Sequence, residues 1–223
     1  TVTENGFFTA ISPGITFLTA ISDTIESAQV AVNVLENITG SVTDIDGNVY
    51  QTLKVGQQWW LAENLKVTRY RNGEAIPHLM NAEEWYGQTT GAYCEYDNNL
   101  ENVQTYGRLY NWHAVIDRRY IAPEGWHVPS DEEWSQLEIT LGMDPSQADI
   151  SGFRGTDQGS QLAGNPDLWD EGALVNNPAF GGSGFGSLPG GYRGFAGYFY
   201  DMGGNAYFWS ATQTHRDRSL DRT

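Results

Sequence analysis

The sequence predicts an α+β fold of short helices and twisted antiparallel strands, preceded by a small all-β segment. Three observations carry this expectation. Twenty-six glycines and eight prolines in 223 residues set many turns and leave few long helices. The first 36 residues contain runs that alternate with strand period. The strongest helix start stands at Ser130, with a stop at Gly142.

In chain order, Asn5-Gly6 and Pro13-Gly14 are turn signals. Strand-like runs follow over Ile15–Ala20 and Ala28–Val34. Ala28, Val30, Val32 and Val34 fall on one side of the second run, the pattern of a half-buried strand. Short strands joined by such turns predict part of a β-sandwich. Residues 37–41 read as a polar junction, which divides the chain into 1–38 and 39–223. Beyond it, Asp46-Gly47-Asn48 signals a hairpin, and Gly56 signals a second turn. Asn81, with Glu84 three residues on, predicts a short helix. Ser130 and Glu133 form a capping box ahead of Trp134, Leu137 and Leu141 on one helix face, and Gly142 ends the helix. Asp144–Pro178 reads as polar and irregular, and Gly181–Trp209 as Gly- and aromatic-rich with short strands. No fixed-period repeat is present.

Charge narrows the function classes. Twelve Lys and Arg against 28 Asp and Glu give a net charge of −16, which disfavours nucleic acid and anionic membrane as partners. No apolar run reaches the ~20 residues of a membrane span. Thr1 reads as a mature or trimmed end. With Cys94 as the single cysteine, an internal disulfide and a multi-thiolate metal site are excluded. A buried apolar role is expected for it.

Few motifs carry chemistry. The four histidines, His78, His113, His127 and His215, lack the spacing of a helical zinc pair. His127 is expected to be structural. No nucleophile elbow, P-loop or dinucleotide fingerprint is present. Asp44–Asn48 and Asp97–Asn102 are oxygen-rich loops that could hold Ca²⁺, although an ordinary hairpin turn is the favoured reading of both. Trp59-Trp60, Trp85-Tyr86, Trp169 and Tyr192, Tyr198 and Tyr200 could stack on sugar rings. Trp169 has the least core-like surroundings, Pro166-Asp167-Leu168-Trp169-Asp170.

Two resemblances extend this reading. Glu4–Ala20 (ENGFFTAISPGITFLTA) resembles the back half of a bacterial Ig-like domain of group 2, without its front strands. Gly56–Leu65, Tyr106–Ala114, Ala122–Trp134, Gly190–Arg193 and Phe208–Thr212 together resemble the Fibrobacter succinogenes major paralogous domain, over about Ser41 to Thr212. That resemblance implies a C-type-lectin-like fold related to the formylglycine-generating enzymes. Gly197–Trp209 is similar to the signature G-L-Y-D-M-x-G-N-V-W-E-W of that superfamily, which implies Asn205 as a Ca²⁺ ligand. Phe208 replaces the signature's Glu. The late cysteine pair of the generating enzyme is absent, so its activity is not implied. It also implies that Trp59, Trp60, Trp112, Trp126, Trp134 and Trp209 are core, leaving Trp85 and Trp169 for a ligand. Members continue past Phe-Trp-Ser with a closing strand pair, which reads as missing here and would leave a sheet edge for a neighbouring subunit.

The resulting expectation is a non-enzymatic extracellular or cell-surface binding or adhesion module. Its glycan or protein ligand would meet loops around Trp169, Asp170, Asn176 and Asn177, with Asn205 as the metal candidate. A structural subunit of a surface fibre or phage appendage, assembled by strand sharing, is the alternative. A hydrolase or other enzyme is the remaining class, since no nucleophile stands with its base.

Overall fold

The computed structural model describes residues 14–19, 21–22, 25–26, 30–34, 38–150, 152–213 and 219–222. The expected Asn5-Gly6 turn lies outside the described residues. So does most of the Glu4–Ala20 stretch that carries the Ig-like resemblance. The opening strands are β1 (Gly14–Leu18), β2 (Ile21–Ser22), β3 (Ile25–Glu26) and β4 (Val30–Val34). They pair antiparallel, β1 with β4 and β2 with β3, so residues 15–18 and 30–34 of the two predicted runs are strand, while Ala20, Ala28 and Gln29 lie outside the described residues.

β5 (Ile38–Thr43), β6 (Val49–Val55) and β7 (Gln58–Leu61) build a three-stranded antiparallel sheet in that order. Residues 38–41, expected to be a junction, are therefore strand. Their polar sequence misled because β5 is almost wholly exposed, and β6 supplies its backbone bonds without any buried side chain being needed. The β5–β6 turn is fixed by Asp44. Its carboxylate accepts the amide N–H of Asp46 and of Asn48, the Asn48 side chain, and the Tyr50 hydroxyl at 2.6 Å. Gly56, at φ 60°, makes the β6–β7 turn.

Along β7 the side chains alternate between faces. Trp60 pairs with Leu53 across the sheet and is 8% exposed, whereas Trp59 is 45% exposed. The expectation that both are core thus fails for Trp59. The sheet's core face receives α4 (Asp131–Thr140), which follows the short elements α1 (Ala82–Trp85), β8 (Tyr93–Cys94), α2 (Asn102–Tyr106), β9 (Leu109–Tyr110) and α3 (Trp112–Val115). The predicted capping box is present in full at Ser130 and Glu133, and Gly142 follows the helix at φ 98°. Trp134, Leu137 and Leu141 pack with Leu53, Val55, Trp60 and Phe185, and the Trp60 and Trp134 rings stand 4.8 Å apart. A second core gathers Val67, Tyr70, Ile76, Tyr110 and Ile121.

Asp144–Pro178 is less irregular than expected, since it carries α5 (Pro145–Ala148) and α6 (Gln158–Leu162). Asp144 caps α5 by accepting the Ser146 amide, a signal legible in the sequence. β10 (Gly190–Arg193) and β11 (Phe199–Met202) form a hairpin, and β12 (Phe208–Gln213) pairs with β13 (Ser219–Arg222). The strand carrying Phe-Trp-Ser is therefore paired within the chain.

Loops are tied down by guanidinium groups. Arg71 donates to the carbonyls of Ala122, Pro123 and Trp126. Arg193 donates to those of Gly197, Leu79 and Met80, with its guanidinium 4.6 Å from the Trp85 ring and 4.9 Å from Phe199. Trp85 is consequently 7% exposed and core, contrary to the expectation that it was free for a ligand.

Replacing Arg193 with Met keeps much of the stem but leaves three carbonyls without their donor. Urea unfolding should show a loss of about 3 kcal/mol, against about 1 kcal/mol for Ser130→Ala, which removes one cap. Equal losses would show that the clamp contributes no more than a cap.

Candidate functional site

The site is built where the β5–β7 sheet, the segment before α4 and the β10–β11 hairpin face each other. A cleft of about 1,280 Å³ lies there. Trp59 and Trp60 contribute from β7, Trp126 from the loop before α4, and Tyr192, Phe195 and Tyr207 from the hairpin side. The Trp59 ring extends across β6 towards Gly40 on β5. A Cβ at Gly40 would stand 3.7 Å from the ring, ordinary van der Waals contact. Tyr192 stacks on Tyr200, with centroids 5.3 Å apart, and meets Tyr207 edge-on at 4.7 Å. Phe195, 70% exposed, meets Tyr86 edge-on at 4.8 Å. Gly191, at φ 60°, allows this hairpin to close, because a Cβ there would collide with the Tyr200 carbonyl.

Each charged side chain lining the cleft is engaged. Lys66 bonds Glu63 at 2.8 Å. Arg108 bonds the buried Glu95 carboxylate and the Lys66 carbonyl. His127 Nε2 meets both oxygens of Glu133 at 2.8 and 3.0 Å, and Arg193 is spent on carbonyls. Behind the wall, Glu95 also accepts from His78 Nε2 at 2.6 Å. Burial and the Arg108 charge hold His78 below its ordinary value, so its ring is neutral and donates. Burial pushes the Glu133 carboxyl up, but the Ser130 amide and His127 outweigh it and hold that group below its ordinary value. Cys94 is fully buried and its thiol is pushed up to about 11 by burial, which leaves almost no thiolate at neutral pH. These groups hold one another in place, and none stands as an activated nucleophile beside a base.

The ligand residues expected from the sequence lie elsewhere. Trp169 is half-buried and donates its indole N–H to the Gly164 carbonyl at 3.0 Å. Asp170 is exposed, and its amide donates to Gly203. Asn176 is exposed. Asn177 is half-buried and accepts the Ala179 amide, which makes it a turn residue. None of the four lines the cleft. Asn205 closes the turn after β11, with its amide donating to the Asp201 carbonyl and its carbonyl accepting from Gly191. The Asp201 carboxylate accepts the Tyr207 hydroxyl, and the Asp170 carboxylate lies beside Gly203 and Gly204.

The two oxygen-rich loops are turns with internal donors. The Asp46 carboxylate is engaged by Thr68 and Arg69. Asn98, Asn99 and Asn102 are bonded within their own loop or to Met80. Among the described residues, no group of three or more His, Cys, Asp or Glu side chains is placed to hold a metal. Sequence reasoning named Trp59 and Tyr192 as sugar-stacking candidates but missed Phe195 and Tyr207. Alternation after the Gly56 turn was the available signal for Trp59.

A charge test follows for Glu133. Its folded value lies below the ordinary 4.5, so its stabilisation is complete above that pH and is lost as pH falls through the folded value. Glu133→Gln preserves the cap geometry. The wild-type lead in Tm over this variant should shrink as pH falls below about 4.5. A gap unchanged down to pH 3 would contradict the pairing.

The sequence model of the Fibrobacter succinogenes major domain matches residues 53–222. The match starts within β6 and ends at the last residue of β13, and takes in every cleft residue except Gly40, Ser41 and Thr52. No curated protein and no solved structure matches the chain. Matched over well more than half its length, the chain belongs to the Fibrobacter succinogenes major domain family.

Proposed function

We propose that this chain is a non-enzymatic binding module of the cell surface or extracellular space, and that it takes a glycan chain in the aromatic cleft. The observation that carries the reading is the pairing of aromatic rings with mutually satisfied charges. Trp59, 45% exposed, and Tyr192, 36% exposed, offer flat apolar faces that match the C–H faces of sugars. The acids and bases around them are held by one another, which suits recognition and leaves no group poised for bond cleavage. The scaffold is proposed as C-type-lectin-like, following an Ig-like segment over residues 1–38. No step of this reading runs through calcium at Asn205.

One observation favours strand sharing as a second reading. β5 is six residues long and exposed, and among the described strands it pairs only with β6. An edge of that kind accepts a strand from another chain. Light scattering on the full chain tests it. A concentration-dependent oligomer abolished by Thr39→Pro supports sharing at β5, and a monomer at all concentrations removes it.

Glycan-array screening followed by titration tests the main reading. Trp59→Ala and Tyr192→Ala should each weaken a confirmed glycan by about tenfold or more, while Trp169→Ala leaves it unchanged. The reverse pattern would move the site to the loop around Trp169. Capture of a protein partner alone, with all glycans negative, would overturn the glycan assignment.

A further inference from the structure

The charges of the cleft restrict what kind of glycan fits. The chain carries 28 carboxylate side chains and a net charge of −16, yet only Glu63 and Glu133 line the cleft. Both are already bonded, to Lys66 and to His127. The cleft cations are Lys66, Arg108 and Arg193, and each is bonded to a carboxylate or to backbone carbonyls.

An anionic sugar would therefore face two costs. The overall negative field repels it before contact. Once inside, it meets cations that are each already bonded, and pulling one away would break a pair and strand its partner, which for buried Glu95 is a large penalty. A cationic sugar would be drawn towards the molecule but would meet two carboxylates that already have partners. What remains to greet a ligand is uncharged: aromatic faces, the exposed amide of Gln57, and the amides of Gln58 and Asn64, which already donate to the carbonyls of Glu133 and Tyr106.

Size adds a second restriction. Pockets for drug-sized molecules run from about 300 to 1,000 Å³, and this cleft is about 1,280 Å³. Its aromatic lining continues outward through Phe195, which touches Tyr86 at the surface. A cleft of this volume holds several sugar rings rather than one.

We infer that the ligand is an uncharged oligosaccharide chain of several sugar units, stacked on Trp59 and Tyr192 and bonded through its hydroxyls to the cleft amides. The inference rests on the cleft being a glycan site. It assigns to that site a neutral substrate class and a length.

Calorimetric titration of the full chain tests it with five probes: the neutral hexasaccharides of glucose, xylose and mannose, a galacturonate hexamer and a glucosamine hexamer. At least one neutral hexamer should bind, and its monosaccharide should not compete. Its Kd should change less than about twofold between roughly 0.05 and 0.5 M NaCl, because no ion pair is made. Trp59→Ala and Tyr192→Ala should each weaken it by about tenfold or more, with far-ultraviolet circular dichroism confirming that both variants fold. Tighter binding of either charged hexamer, or a tenfold loss across the salt range, overturns the neutral class and leaves the glycan site standing. Failure of every hexamer overturns the glycan site itself.

Discussion

Arg193 holds together parts of the fold that share no sheet or helix. It sits on β10, yet its guanidinium reaches the carbonyls of Leu79 and Met80, more than 100 residues earlier, and that of Gly197 in its own hairpin turn. A buried charge of this kind is tolerated only when its donors are used. Here carbonyl dipoles use them, and Trp85 and Phe199 cover the guanidinium. Lys could not substitute, since it lacks the planar fork that serves several carbonyls at once. The hairpin that this clamp orients is the one that carries Tyr192 and Phe195 to the cleft.

The same device recurs because the fold has much coil and little sheet. Arg71 gathers the carbonyls of the 122–126 loop, and Arg108 joins Glu95 to the Lys66 carbonyl. In a chain with 12 basic residues, several cations are thereby spent on architecture. This is why the cleft is close to electroneutral although the molecule is strongly acidic. The cations near the cleft are thus bonded within the fold, and its remaining lining is largely aromatic and amide.

How much of this was legible in the sequence depended on the range of the interaction. The α4 capping box, the Gly56 turn and the hairpin at Asp46-Gly47-Asn48 are set by residues within a few positions of one another, and each formed where the residues said it would. Trp59 and Trp60 show the limit. Alternation alone separates them, but which of the two faces the core depends on where α4 packs. Trp85 was read as free because it lies outside the stretches that carry the family resemblance. Its true neighbour is Arg193, 108 positions away. Phe195 and Tyr207 carried no local mark that distinguishes a binding aromatic from a core one.

The sequence by itself determined the short-element α+β character, the caps and turns, the strand runs, the family and the net charge of −16, because all of these follow from local composition and spacing. Tertiary structure alone decided which tryptophans are exposed, which charges are paired, and that the aromatic cleft lies away from Trp169. Each of those depends on contacts between segments far apart in the chain. Burial and partner choice are settled only when β7, α4 and the β10–β11 hairpin meet, since a side chain's environment is made by its neighbours in space.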